Sequence, residues 1–254
     1  MTADQYLRGL LLQQDLSNVE LSALRGLRDQ VQSQLSILEG SPRFYYAGSY
    51  GKKTIIRQRY DLDIVMYWPS TATYTIQGIY EAVGEVLRQN WKVVSGKTVS
   101  WELPFEGGFH IDIVPGRALD TQFLNANLYR TDTGTTLKTS LKTHIDTVQN
   151  SGRRDAIRLM KLWRERRNVP FKKSFLLELM TIEGCKGQRF DDLGTQVQAA
   201  LSYIRDNILT RNVVDPANSN NSLSDDLNAA QRAAIKAAAA SAAQATSWGP
   251  VFNP

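Results

Sequence analysis

The apolar positions of this chain change period twice. Over residues 4–39, Leu7, Leu10 and Leu11, then Val19, Leu21, Leu24, Leu27, Val31, Leu35 and Leu38, recur at steps of three and four, the spacing that puts side chains on one face of a helix. Ser17 with Glu20 three residues later is a capping-box pattern, so a second helix starts there. Gly40-Ser41-Pro42 ends it. From Phe44 the runs become short and β-prone: 44–47, 62–68 closed by Pro69, 91–94, 98–103, and 109–114 closed by Pro115-Gly116. Ile79, Val83, Val86 and Leu87 mark a helix over 76–90. From about 136 the helical period returns, with helices expected at 136–149, 153–168, 174–183 (capped by Ser174), 189–209 and 224–246, and a turn-rich loop at 215–222. In the last of these helices 11 of the 17 residues from 229 to 245 are Ala, the best helix former. The order predicts an α+β chain in three parts: N-terminal helices over 1–40, a sheet domain over 41–135 and a helical region over 136–254.

Composition narrows the chemistry. The 254 residues are 42% hydrophobic and 22% charged, as in globular domains. One cysteine, Cys185, excludes an intramolecular disulfide and a cysteine metal cluster, and two histidines, His110 and His144, argue against a zinc site. No stretch is long and apolar enough to span a membrane, and residues 1–4 lack the basic and apolar regions of a secretory signal, so a cytoplasmic protein is expected. The net charge of +5 is modest, but residues 153–173 carry nine Lys or Arg against two acids. That block suits a triphosphate or an RNA backbone, or simply solvates a helix face.

Three carboxylates stand out. Asp61 and Asp63 are two apart, so on a strand they share a face, and Asp112 sits between Ile111 and Ile113. Taken alone, each reads more readily as a turn residue, a solvent-facing residue or the partner of an arginine. Converging, they would repel one another until a hard divalent cation such as Mg²⁺ bound their oxygens. Upstream, Gly48-Ser49 provides a tight turn with a hydroxyl, with eleven residues between it and Asp61-Leu62-Asp63. His110, on the same strand face as Asp112, is expected to be a supporting or core residue.

A Gly-Ser turn, this spacer, an Asp-x-Asp strand and a distant strand Asp resemble, in that order, the DNA polymerase β-type nucleotidyltransferase superfamily. The helical half is similar to the oligoadenylate-synthase and cyclic GMP–AMP-synthase group, including the bacterial CD-NTases. The matching residues are Lys161 and Trp163, then Ser174-Phe175-Leu176-Leu177-Glu178 thirteen residues after Lys161, then Asp215-Pro216 with Asn220-Asn221, and the closing Trp248-Gly249-Pro250-Val251-Phe252. The resemblance implies a polymerase β-type sheet lobe, a C-terminal helical bundle lobe and an N-terminal helix bracing both. It implies catalysis by Asp61, Asp63 and Asp112 holding two Mg²⁺ ions (Mn²⁺ as substitute), with nucleotide bound by Gly48, Ser49, Lys161, Ser174 and Phe175. Its substrates would be NTPs, ATP among them, and its product a cyclic di- or trinucleotide second messenger of bacterial antiphage defence. Effector or activating proteins of a defence operon are the implied partners, and RNA is not required. The alternatives are an RNA- or tRNA-tailing or protein-nucleotidylating transferase with the same triad, and an inactive nucleotide- or RNA-binding module.

Overall fold

The computed structural model describes residues 2–253; Met1 and Pro254, the outer limits of the expected 1–40 and 136–254 parts, lie outside the described residues. Both N-terminal helices start at capping boxes, α1 (Ala3–Gln13) at Thr2/Gln5 and α2 (Asn18–Leu35) at Ser17/Glu20. There follow β1 (Arg43–Tyr46), the single turn α3 (Gly48–Gly51), β2 (Leu62–Trp68), α4 (Ile76–Asn90), β3 (Ser95–Gly96), β4 (Trp101–Pro104), β5 (His110–Ala118), β6 (Ala126–Arg130) and β7 (Thr135–Thr139). The rest comprises α5 (Leu141–Gln149), α6 (Arg154–Arg166), α7 (Ser174–Gly184), α8 (Leu193–Asn207), the hairpin β8 (Val214–Asp215) and β9 (Asn218–Ser222), α9 (Ala229–Ala243) and α10 (Gly249–Phe252).

Two compact units result. One comprises residues 16–52 and 59–145; the other takes α1, residues 53–58 and everything from Asp146 on. The two N-terminal helices therefore belong to different units.

The first unit is built on a seven-stranded sheet. Its order is β1-β2-β5-β4-β3, with the β6–β7 hairpin joined to β5. β2 and β5 run parallel; their neighbours pair antiparallel. Alternation along β2 explains why the sequence is apolar throughout. Leu62, Ile64, Met66 and Trp68 pack with Leu24 and Val31 of α2 and Ile79 and Val83 of α4. Val65 and Tyr67 face the other way, against Ala47, Ala126 and Leu128. By the same alternation Asp63 lies on the Val65 face and Asp112 on the matching face of β5. The second unit buries Leu7 and Leu11 of α1, Leu159, Met160 and Trp163 of α6, Leu177 of α7, Leu201 of α8, Ile235 of α9 and Phe252 of α10 around one core. Among the described residues no helix is long and apolar enough to cross a membrane.

Several local expectations are corrected. Residues 91–94 form no strand; Trp91 ends α4 and its indole N–H donates to Gln34. β5 does not stop at Pro115-Gly116 but runs through them. Pro115 falls between the last residue paired with β4, Ile113, and the first paired with β6, Gly116, an interruption that tolerates a missing N–H. Residues 135–139 are strand β7 rather than the start of a helix, in keeping with β-branched Thr135 and Thr136 after the Gly134 turn. Helix α8 starts later than expected because Asp192 caps it through Thr195 N–H. Residues 214–222 pair as a hairpin rather than an open loop, and the last long helix, α9, starts only at Ala229, after a 3₁₀ turn over Leu223–Asp226.

Candidate active site

The parallel register of β2 and β5 sets Asp63 directly beside Asp112, and Asp61 immediately precedes β2. The turn before α3 closes against them. Ala47 N–H donates to the Asp63 carbonyl at 2.9 Å. Gly48 has φ +54°, and a Cβ built there would lie 1.6 Å from Asp63 Oδ2. Both the backbone angle and the contact require glycine. Ser49 follows, half-buried, in the first turn of α3.

The electrostatics are those of crowded carboxylates. Burial, then the charges of Asp112 and Asp61, push the Asp63 carboxyl up to about 6, against the pull of Lys52 and His110. Burial also raises Asp61, opposed by His110 and Arg59. Asp61 Oδ1 is buried without a hydrogen-bond partner; His110 Nδ1 approaches it to 3.2 Å off the bonding line. An orphaned oxygen and a carboxyl that resists ionisation are what a hard divalent cation would relieve, so the donor set fits Mg²⁺ or Mn²⁺.

Two further residues belong to the cluster that the sequence did not reveal. Glu102 on β4 stands opposite Asp112. Lys97, in the turn between β3 and β4, places its Nζ 2.9 and 3.0 Å from the two Asp112 oxygens and also pairs with Glu102. Hydrogen bonds to Glu102 and Asp112 hold the Lys97 ammonium above its usual range against the opposing effect of burial, and Lys97 in turn lowers Glu102. His110 Nε2 lies 3.7 Å from Asp112 and 3.9 Å from Glu102. Glu102, His110 and Asp112 each offer a ligand atom within 4.8 Å of the others. His110, expected as a supporting or core residue, is half-buried between Asp61 and Asp112 with a ring nitrogen facing each. Glu102 and Lys97 escaped because the β4–β5 register that joins them to Asp112 is a tertiary fact.

In the helical unit the expected nucleotide contacts are internally engaged. Lys161 on α6 is only 4% exposed. Its Nζ lies 3.2 Å from Glu178 Oε1 and donates to the Thr54 carbonyl and hydroxyl at 3.3 Å. Ser174 is the first residue of α7 rather than its cap, which is Lys173; the Ser174 hydroxyl accepts from Arg164 at 2.8 Å. Phe175 is half-buried at the margin of the core, and Trp163 is inside it. Asp215 accepts from Ala217 N–H and the Asn221 amide, so the Asp-Pro…Asn-Asn segment pins the β8–β9 hairpin. Much of the basic block is likewise tied down. Arg153 stacks on Phe190 and binds the carbonyls of Gln188 and Arg189. Arg158 pairs with Asp15, and Arg166 bonds Gln58 and Phe252.

No protein-family model matches the chain. Its architecture does match solved structures. CdnC of E. coli MS115-1, solved with ATP, superposes with a TM-score of 0.77 at 23% identity, covering 100% of this chain and 98% of that one. The Bradyrhizobium diazoefficiens CD-NTase CdnG, in complex with GTP, gives 0.76 at 13% identity over 95% and 90%. The expected α+β architecture is thus observed, and the chain has the fold of the bacterial CD-NTases. In sequence it is similar to a cyclic AMP-AMP-AMP synthase from E. coli strain MS 115-1, 28% identical over 191 residues. That match takes in 68% of this chain and 59% of the relative, less than two thirds of its length.

Proposed function

We propose that the chain is a CD-NTase that condenses NTPs, ATP among them, into a cyclic oligonucleotide second messenger of bacterial antiphage (CBASS) signalling. The observation that carries this reading is the register pairing of Asp63 with Asp112 beside Asp61, with Gly48 pressed against Asp63. In the reaction a ribose hydroxyl attacks the α-phosphorus of an NTP. A new P–O bond forms, the bond from the α-phosphorus to the α–β bridging oxygen breaks, and pyrophosphate leaves with its electron pair. Asp61, Asp63 and Asp112 would hold two Mg²⁺ ions, or Mn²⁺, which supply a lowered pKa at the attacking hydroxyl and charge compensation at the leaving pyrophosphate. Asp112 is assigned to accept the hydroxyl proton. Gly48 lets the turn approach the nucleotide, and Ser49 offers a hydroxyl to its phosphates. Lys161, Ser174 and Phe175 are assigned to the donor nucleotide on the family resemblance; their present partners, Glu178, Thr54 and Arg164, would have to yield for direct contact. The setting would be the cytoplasm, with effector or activating proteins of a defence operon as partners.

The test is incubation of the purified chain with all four NTPs and Mg²⁺ or Mn²⁺, then phosphatase treatment and mass spectrometry. A phosphatase-resistant product at the mass of a cyclic di- or trinucleotide is expected. Product attached to added RNA or to protein would replace this reading with the tailing or protein-modifying one. ATP binding without turnover, with RNA and partner proteins present, would leave a binding module.

A further inference from the structure

Glu102 and Asp112 face each other across the β4–β5 ladder, an arrangement in which two like charges repel. Lys97 resolves it. Its ammonium bonds both Asp112 oxygens and reaches Glu102 at the same time. The arm that carries this charge is fixed at its root. Lys97 N–H donates to the Ser100 carbonyl at 2.8 Å, and the Lys97 carbonyl accepts from the Tyr80 hydroxyl at 3.0 Å and the Thr131 hydroxyl at 3.3 Å. Ser100 of the same turn, Tyr80 of α4 and Thr131 just past β6 thus hold one backbone unit, and the side chain is 37% exposed while its two partners are 17% and 25% exposed. This is a preorganised cation seated on a carboxylate assigned to the divalent metal.

We propose that Lys97 is a positioning residue that occupies the cation position at Asp112 until a divalent ion displaces it, with Glu102 retaining the ammonium afterwards. The inference rests on Asp112 being a metal ligand. An ammonium within 3.0 Å of both Asp112 oxygens repels a divalent ion on the same carboxylate, so ion binding competes with the clasp. Glu102 already touches the ammonium, so the displaced charge needs no new partner. Lys97 thereby sets how readily the site loads with metal before nucleotide arrives.

The experiment measures Mn²⁺ binding to the nucleotide-free full chain by electron paramagnetic resonance of the free ion. Lys97→Met removes the competitor and is expected to tighten binding by about tenfold, the scale of one charged hydrogen bond. Glu102→Gln leaves Asp112 as the ammonium's one anionic partner and is expected to weaken binding. In the Lys97→Met background Glu102→Gln should then change little, because Glu102 acts through Lys97. Lys92→Met, the same charge change at an exposed site of the same unit, should leave the affinity within about twofold, as screening of distant surface charges dictates. Lys97→Gln is run in parallel, with near-UV circular dichroism confirming native packing in each variant. Unchanged or weaker binding in both Lys97 variants would overturn the clasp. An equal loss from Glu102→Gln in both backgrounds would make Glu102 a ligand and also overturn it. If wild type, Lys97→Met and Asp63→Asn were alike in not binding Mn²⁺, the metal reading itself would fall, an outcome separate from failure of the clasp alone.

Discussion

Asp63 is a carboxyl that the folded chain would rather keep protonated. Its pKa of about 6 lies above the ordinary 3.8 because burial and two neighbouring carboxylates disfavour the charge. The folded state therefore binds this proton more tightly than the unfolded state. The associated stability is present in full below about pH 4 and is lost as pH rises through 6, amounting to about 3 kcal/mol. Asp63→Asn should accordingly be more stable than wild type in metal-free urea melts at pH 7.5 and equal to it near pH 4, while forming no product. Equal stability at both pH values would show that Asp63 is not under this repulsion.

Lys161 and Glu178 present the opposite case, two opposite charges paired with each other, with Thr54 bonding both, and nearly inaccessible. Removing one takes from the other the opposite charge it faces at 3.2 Å in a buried setting. Lys161→Met should cost about 3–5 kcal/mol, and adding Glu178→Leu should recover most of it, because replacing both members of a buried pair is close to neutral. Chemical denaturation reads this directly. The double variant then gives a folded protein in which to measure the KM for ATP. A raised KM would place Lys161 on the nucleotide; an unchanged one would confine it to the internal pair.

Among the elements, the turn into α3 does the positioning. Its backbone is tied to β2 through the Ala47–Asp63 hydrogen bond, and Gly48 leaves no room for a side chain. Gly48→Ala should lower kcat by about 10²-fold through displacement of Asp63, the scale set by a 1 Å misplacement of a reacting group. It should alter overall stability far less. Activity near wild type in this variant would mean that the turn and Asp63 move independently. How well an element could be read in advance follows from what defines it. β2 and α4 were legible because burial on both faces of one and one face of the other writes the pattern. The β6–β7 hairpin was not, since Thr135-Thr136-Leu137-Lys138 alternates too weakly to set strand against helix. The persistence of β5 through Pro115 was hidden because it depends on which neighbour pairs where.

Across the whole molecule, the proposed site residues are divided between the two units. The sheet unit holds Asp61, Asp63, Asp112, Gly48 and Ser49, and the helical unit holds Lys161, Ser174 and Phe175. The mass of the phosphatase-resistant product is the measurement at this scale, because ring formation needs successive transfers that no single residue performs. A cyclic product would confirm the proposed synthase, and the unmodified masses of the four NTPs would argue against it.

By itself the sequence determined the carboxylate trio, the Gly48-Ser49 turn, the α+β order and most helix limits, because these depend on local pattern: capping boxes, strand period and fixed spacing. Only the tertiary structure decided the rest. The β4–β5 register brought Lys97 and Glu102 to Asp112, and packing within the helical unit enclosed Lys161 with Glu178 and Thr54 and turned Ser174 toward Arg164. Those partners lie 10 to 107 residues from the groups they meet, and separations of that size leave no periodic trace in the chain, since they are fixed by which faces must be buried together.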